Sequence, residues 1–224
     1  MPYWISQPRT QLMCIARSFR GLCQSTFRRS VRPRAMYKCI IKPGLDLCVA
    51  LVLLSLLLPI FVIVAVFIKL DSSGPVFFRQ QRIGKGMKYF SIFKFRTMVV
   101  NNETHTSTKA NDPRITRVGK FLRRTSIDEL PQLINVLLGH MSLIGPRPSI
   151  EREIATHGEK KFRRRVTQKP GITGLQQCTL RSRATPRQKL LLDAHYCRKV
   201  GVCLDVWIVY MTLKMVFFKS KMAN

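Results

Sequence analysis

The chain has little negative charge. Eleven Asp and Glu stand against thirty-nine Lys and Arg in 224 residues, which gives a formal net charge of +28. Such a basic protein calls for a partner rich in negative charge, namely nucleic acid, an anionic membrane surface or a phosphorylated substrate. The hydrophobic content of 46% excludes a disordered chain and predicts one domain with a substantial core.

Patterns typical of metal sites and disulfide frameworks are also missing. The seven cysteines are scattered without a C-x-x-C pair, and the four histidines are equally dispersed. We therefore expect reduced thiols in a cytosolic compartment and no structural zinc site.

One long segment, from Leu47 to Ile68, lacks charge altogether. As a helix it would measure roughly 33 Å, which is enough to cross a bilayer. Pro59 lies inside it and predicts a break into two pieces that each match about one leaflet. Residues 1 to 45 carry nine Lys or Arg and no acid, and the sequence after Lys69 is also basic. The positive-inside rule therefore favours a re-entrant helix over an ordinary kinked span, which remains the alternative.

Apolar residues also recur at helical spacing near the C-terminus, namely Leu204, Trp207, Ile208, Met211, Met215 and Phe218. Charged residues interrupt this segment too often for a membrane span. The pattern suits an amphipathic helix in the membrane interface, and a terminal helix that packs on the core is an equally good interpretation.

Two β-rich runs surround a Gly-Lys-Gly turn at 84–86 and predict a hairpin. Lys94 and Arg96 are two residues apart in the second run, so both side chains share one face and could present paired cations to phosphates. A solvated basic edge is the simpler interpretation of the same pattern.

Two of the few acids are adjacent in the stretch TSIDELPQL, as Asp128 and Glu129. Ser126 and Glu129 have the spacing of a capping box, whereas Leu130 as the N-cap would place Pro131 at the favoured first helical position. Either start puts the acids at a helix N-terminus near Arg123, which favours an ionised Asp128. An ionised carboxylate can attack a phosphoryl group when cations neutralise the charge.

The stretch DPRITRVGKFLRR predicts a short helix that starts at its Asp-Pro pair, 112–113. Two rigid loops follow the acidic pair. In the first, prolines on both sides of Arg147 restrict the backbone and would aim its guanidinium. The second, KPGITG at 169–174, is rich in glycine.

Taken together, these motifs resemble the bacterial sugar transferases, which are small monotopic polyprenyl-phosphate phosphoglycosyl transferases. The resemblance runs through IKLDSSGPVFFRQQRIGKG, FKFRTM, DPRITRVGKFLRRTSIDELPQLINVLLGHMSLIGPRP and KPGITGLQQ, in this order. It covers the chain from about residue 42 to the C-terminus.

The resemblance implies transfer of a sugar 1-phosphate from a UDP-sugar to undecaprenyl phosphate, with release of UMP and with Mg²⁺ as cofactor. Asp128 would be the covalent nucleophile, and Glu129 would assist it; both would hold the metal. The implied phosphate-binding cations are Lys94, Arg96, Arg123 and Arg147. Such an enzyme initiates the assembly of lipopolysaccharide, capsule or exopolysaccharide.

The expected fold is mainly α with a small β-hairpin. We expect a basic, poorly ordered leader at 1–37, a re-entrant membrane helix at 38–70 that is broken at Pro59, and a compact catalytic domain at 71–224 with amphipathic interfacial helices. The resemblance places this monotopic protein on the cytoplasmic face of the bacterial inner membrane.

The other expected partners are anionic membrane lipid, downstream glycosyltransferases and, as an option, a second copy in a homodimer, but no nucleic acid. The competing hypothesis is a membrane-tethered basic module that binds nucleic acid or anionic lipid without catalysis.

Overall fold

The computed structural model describes residues 31–99, 112–180 and 185–218, so most of the leader predicted at 1–37 lies outside the described residues. The helices are α1 Val31–Met36, α2 Lys42–Asp71, α3 Arg117–Thr125, α4 Gln132–Leu137, α5 Arg152–His157, α6 Glu159–Arg165, α7 Leu175–Thr179, α8 Pro186–Lys199 and α9 Val202–Phe218. The strands are β1 Phe77–Ile83, β2 Tyr89–Phe95, β3 Ser142–Ile144 and β4 Gly171–Thr173. The mainly α fold with a small hairpin is thus confirmed.

Helix α2 contains the uncharged run. It belongs to a helical segment from Arg34 to Asp71 that is, within the described residues, long and apolar enough to cross a membrane. Pro59 lies inside α2, which continues as one helix on both sides of the proline. The break at Pro59 and the re-entrant path therefore stay predictions.

One face of α2 packs against the rest of the protein along most of its length. Its buried positions recur every three or four residues, which is one stripe of a helix. They are Asp46, Ala50, Phe61, Val64 and Ile68, with Leu54 and Leu57 partly buried between them. The other faces expose apolar side chains. The sequence predicted a membrane helix, but its uniform hydrophobicity gave no sign of this packed stripe.

Both ends of α2 are held by polar contacts with the same domain. Near its start, Asp46 accepts hydrogen bonds from Ser142 Oγ at 2.6 Å and from the Leu143 N–H at 3.2 Å. Lys42 pairs there with Asp205 of α9 at 2.8 Å. At the other end, the carbonyls just after α2 accept hydrogen bonds from the buried Arg96 side chain.

The predicted hairpin is confirmed. β1 and β2 pair antiparallel from Phe77 opposite Phe95 to Ile83 opposite Tyr89. Helix α4 is fixed to β2 by the buried Asn135, whose Oδ1 accepts from the Phe93 N–H at 2.9 Å and whose Nδ2 donates to the Ser91 carbonyl at 2.8 Å. This double contact satisfies backbone groups on the edge of β2 and places the segment before α4 beside the hairpin.

The two loops rich in glycine and proline, which the sequence presented separately, lie against each other. β3 and β4 form a short parallel pair, with Ser142 opposite Gly171 and Ile144 opposite Thr173. A Cβ on Gly145 or Gly171 would collide with the backbone of the other loop. Glycine is therefore required there by close backbone approach rather than by turn geometry.

Two sequence predictions about helices can be compared with the structure. Helix α3 begins after Thr116, whose Oγ1 accepts from the Gly119 N–H at 2.9 Å, and not at the preceding Asp-Pro pair. In α9, the apolar stripe packs on the core through Leu204 and Ile208, which agrees with the second of the two interpretations of this segment. The position of α9 in the membrane interface stays a prediction. The opposite face of α9 exposes Val206 and Tyr210.

Candidate active site

The acidic pair lies in a short 3₁₀-helix, Ile127–Glu129, between α3 and α4. Ser126 ends α3 in the left-handed conformation, with φ of 63°, and turns the chain sharply. Ile127 and Leu130 then pack against the apolar cluster that joins the end of α2 to Leu122. These apolar contacts anchor the turn on the core and hold the two carboxylates in place.

The capping box predicted at Ser126 is wrong. Its side chain makes no capping hydrogen bond, because the Glu129 N–H bonds to the Ser126 carbonyl within the turn. Helix α4 begins at Gln132, with Pro131 at the N-cap position, one residue away from the alternative start. The Glu129 carboxylate accepts a hydrogen bond from Lys94 Nζ at 2.6 Å.

The pKa of Asp128 is shifted in the direction opposite to the sequence-based expectation. Its pKa is raised to about 6, chiefly by burial and then by the charge of Glu129, while Lys94 and Arg123 oppose the rise. The sequence pointed to the cations and the helix terminus but gave no measure of desolvation. At neutral pH the carboxylate is still mostly ionised, and its raised basicity suits a nucleophile.

The two cations predicted on one face of β2 have different surroundings. Lys94 is half-buried and pairs with Glu129. Arg96, just past the strand, is buried and donates to the carbonyls of Ser73 at 2.6 Å and Ser72 at 2.7 Å. These contacts satisfy carbonyls at the end of α2, so phosphate binding by Arg96 stays a prediction.

Arg123 has both a structural contact and an electrostatic effect on the acidic pair. Its Nε donates to Thr97 Oγ1 at 2.8 Å, which ties α3 to the end of β2. Its charge lowers the pKa of Asp128, so the guanidinium lies within electrostatic reach of the dyad. Thr97 thereby orients a cation beside the acidic pair.

A cavity of about 180 Å³ opens beside Glu129. Its walls come from the hairpin, the start of α4 and the two loops joined by β3 and β4. The lining residues are Arg82, Ile92, Lys94, Glu129, Gln132, Arg147, Pro148, Glu153, Gly171, Ile172 and Gln177. The predicted residues Lys94, Glu129 and Arg147 are brought together here, whereas Asp128, Arg96 and Arg123 are not among the lining residues.

Sequence reasoning missed four polar members of this cavity: Arg82, Gln132, Glu153 and Gln177. The pKa of Arg82 is lowered, first by burial and then by the charge of Arg147, which lines the same cleft. A pair of arginines under mutual repulsion gains most from an anion placed between them. A signal existed for Arg82, Gln132 and Gln177, since all three lie in the quoted motifs. Glu153 lies outside those motifs, and a lone glutamate has no recognisable spacing.

A cleft lined by cations beside an acidic pair agrees with the comparison to protein families. The family model described as bacterial sugar transferase matches residues 37–219. The chain belongs to the bacterial sugar transferase family. The resemblance read from the motifs is thereby confirmed.

Relatives within the bacterial sugar transferases cover most of this chain. An undecaprenyl-phosphate glucose phosphotransferase from Komagataeibacter xylinus is 38% identical over 200 residues, which are 84% of this chain and 38% of that protein. A UDP-N-acetylgalactosamine-undecaprenyl-phosphate N-acetylgalactosaminephosphotransferase from Aeromonas hydrophila is 41% identical over 193 residues, 83% of this chain and 45% of its own.

A third relative is matched over nearly all of its own length. The exopolysaccharide production protein PSS from Rhizobium leguminosarum bv. phaseoli is 38% identical over 191 residues, which are 78% of this chain and 94% of that protein. The chain therefore spans less than half of the first two relatives, and nearly all of PSS is matched.

The Mg²⁺ implied by the sugar transferase family has to fit the acidic pair. Within residues 31–99, 112–180 and 185–218, no three His, Cys, Asp or Glu side chains cluster as metal ligands. Mg²⁺ commonly uses one or two carboxylates and completes its coordination with substrate phosphates and water. Asp128 and Glu129 supply those carboxylates beside a cleft lined by cations, so the residues fit a metal shared with the substrate.

Proposed function

We propose that this sugar transferase moves a sugar 1-phosphate from a UDP-sugar to undecaprenyl phosphate and releases UMP. The observation that carries the proposal is the juxtaposition of the acidic pair with a cationic cleft beside an apolar helix. The names of the relatives from Komagataeibacter xylinus and Aeromonas hydrophila contain undecaprenyl phosphate and a sugar. We further propose that the product initiates a surface polysaccharide, as the name of PSS suggests.

The chemistry proceeds in two displacements at one phosphorus. The Asp128 carboxylate attacks the phosphorus that bears the sugar, the bond to the bridging oxygen breaks, and UMP leaves with that oxygen. An oxygen of undecaprenyl phosphate then attacks the same phosphorus and releases Asp128. The lipid product is undecaprenyl diphosphate sugar, and the carboxylate is restored.

The surrounding cations make this attack of an anion on an anion feasible. Arg82, Lys94 and Arg147 line the cleft and would neutralise the diphosphate, while Arg123 lies within electrostatic reach of Asp128. Bound Mg²⁺ would add further neutralisation of the diphosphate. Because Glu129 is next to Asp128 and is paired with Lys94, it can hold that cation in position at the start of the reaction.

We propose a monotopic arrangement in which α2 enters one leaflet and returns, with the catalytic domain on the cytoplasmic face of the inner membrane. The polar contacts that tie both ends of α2 to one domain support it. A perpendicular span of α2 would carry that domain into the bilayer, and each charge placed at the bilayer centre costs at least about 2.5 kcal/mol. The exposed apolar faces of α2 and α9 offer the lipid contact instead.

The test uses the full chain in detergent with undecaprenyl phosphate, Mg²⁺ and a panel of UDP-sugars, and follows UMP release. Asp128→Asn should lower the rate at least about a thousandfold, because an amide cannot form the covalent intermediate. Glu159→Gln is the control, since Glu159 forms an exposed ion pair with Arg163 away from the cleft.

The intermediate itself can be trapped. With a UDP-sugar but no undecaprenyl phosphate, mass spectrometry should find one sugar phosphate on Asp128 in the unaltered protein. Absence of UMP with every sugar would reject the function. Full activity of Asp128→Asn would reject the covalent route alone.

A further inference from the structure

Glu153 on α5 is the second acidic side chain that lines the cleft, after Glu129. Its side chain is 37% exposed, so a bound molecule can reach it. The other charged lining residues are cations. A carboxylate at this place repels a diphosphate, so Glu153 is better suited to bind an uncharged part of a ligand in the cleft.

A buried arginine fixes the position of Glu153. Arg165 at the end of α6 is 2% exposed, and its Nη1 donates to Glu153 Oε2 at 2.5 Å. Its Nε donates to Asp193 of α8 at 2.7 Å, and Asp193 is fully buried. The guanidinium is planar and holds its donors in a fixed fork, so this buried pair restricts the orientation of the Glu153 carboxylate.

The same guanidinium also touches the cationic wall of the cleft. Arg165 Nη2 donates to the Arg147 carbonyl at 3.2 Å, within the loop whose prolines restrict the Arg147 backbone. One buried side chain therefore sets the relative position of Glu153 and Arg147. These two residues line the same cavity, one as an acceptor of hydrogen bonds and one as a donor.

We propose that Glu153 binds a hydroxyl-bearing ring of the nucleotide sugar and that Arg165 is the positioning residue for this contact. The inference rests on the proposed function. A carboxylate repels the diphosphate but is a strong acceptor for hydroxyl groups. The arginines and Lys94 hold the phosphates, and Glu153 binds the neutral end of the same molecule. The ring is either the sugar or the ribose, which carry the same chemistry.

The experiment measures equilibrium binding of UDP-glucose, UDP-galactose, UDP-N-acetylgalactosamine and UDP to the full chain in detergent. All proteins carry Asp128→Asn, so that turnover does not consume the ligand. Adding Glu153→Gln should raise the Kd of the bound UDP-sugar about tenfold, the effect expected for loss of a charged hydrogen bond. Glu159→Gln in the same background is the matched control and should leave every Kd within twofold.

The UDP arm distinguishes the two rings. If Glu153→Gln weakens a UDP-sugar but not UDP, Glu153 contacts the sugar; if it weakens both equally, Glu153 contacts the ribose. Unchanged Kd values for all four ligands overturn the inference. Absent UMP release from the chain with Asp128 intact, together with weaker binding by Glu153→Gln, would reject the proposed reaction and keep the binding role.

Arg165→Lys tests the positioning role. It retains the charge but loses the fork, so it should raise the Kd of the same ligand as Glu153→Gln does, and the double variant should be no weaker than Glu153→Gln alone. Arg163→Lys, on the exposed face of α6, is its control. Additive effects of Arg165→Lys and Glu153→Gln would overturn the positioning role.

Discussion

Lys94 and Arg96 lie two residues apart and carry the same charge, yet they belong to two regions of the molecule. Lys94 is 21% exposed and pairs with Glu129, and both residues line the cleft. Arg96 is 5% exposed and bonds to backbone carbonyls at the end of α2. A carboxylate in an open cleft can exchange its partner for a ligand, whereas the part-buried carbonyls of Ser72 and Ser73 are stabilised by a permanent donor.

The comparison also shows how helix α2 and the cleft are joined. The end of β2 contacts the acidic turn through Lys94 and the end of α2 through Arg96. Phe95 between them packs on Phe61 of α2, with ring centroids 5.1 Å apart. A helix embedded in lipid would therefore hold the acidic turn at a fixed height above the membrane, where the lipid phosphate of the proposed acceptor would be found.

The largest effect is expected from Arg96→Met, which preserves the apolar stem but removes the donors. Carbonyls at the end of α2 would lose their partners, at a total cost of about 3 kcal/mol in the free energy of unfolding. For a protein of this size the melting temperature should fall by about 6 to 12 °C, measured by intrinsic fluorescence of the chain in detergent.

Arg79→Met is the control for Arg96→Met, because Arg79 is an exposed arginine on the neighbouring strand. It stacks over the Phe93 ring at 5.0 Å, a contact worth about 0.5 to 1 kcal/mol at an exposed site. Equal melting temperatures for the two variants would show that the contacts of Arg96 do not stabilise the fold.

A smaller effect, and on a different quantity, is expected from Lys94→Met. The rate of UMP release should fall about 30-fold to 100-fold, since a preorganised cation beside the reacting phosphate contributes about 2 to 3 kcal/mol to transition-state stabilisation. The partly exposed pair with Glu129 contributes at most about 1 kcal/mol to stability, so the melting temperature should change little.

The control for Lys94→Met is Lys85→Met, an exposed lysine in the turn of the hairpin. It should leave both the rate and the melting temperature unchanged. If Lys94→Met destabilised the protein as much as Arg96→Met and left the rate intact, the division between a cleft and a structural region would be wrong.

The sequence predicted the elements whose cause is local. The hairpin follows from two β-rich runs around a turn rich in glycine, and α2 follows from its length without charge. The sequence also predicted that Lys94 and Arg96 share one face and could both bind phosphates. Alternation along a strand defines that face, but it does not show which other part of the chain covers each side chain. Arg96 is covered by the end of α2, more than twenty residues earlier in the chain.

The cleft itself could be predicted only in part. Glu129 and Arg147 were predicted from motifs. That they line one cleft together with Glu153 and Gln177 depends on the parallel pairing of β3 and β4. Each of these strands has three residues, too short for a periodic signal. The raised pKa of Asp128 was likewise out of reach, since desolvation depends on packing from several elements.

The smallest effect is expected from Asp71→Asn, at the end of α2. Asp71 Oδ2 accepts from the Val118 N–H at 3.0 Å and so satisfies a free donor in the first turn of α3. Asparagine keeps an acceptor but loses the charge that favours a helix N-terminus, which should cost about 0.5 kcal/mol. The melting temperature should fall by about 1 to 2 °C, with UMP release within twofold of the unaltered protein. A loss of rate as large as that of Lys94→Met would mean that the end of α2 acts directly on the cleft, because so small a change in stability leaves nearly all molecules folded.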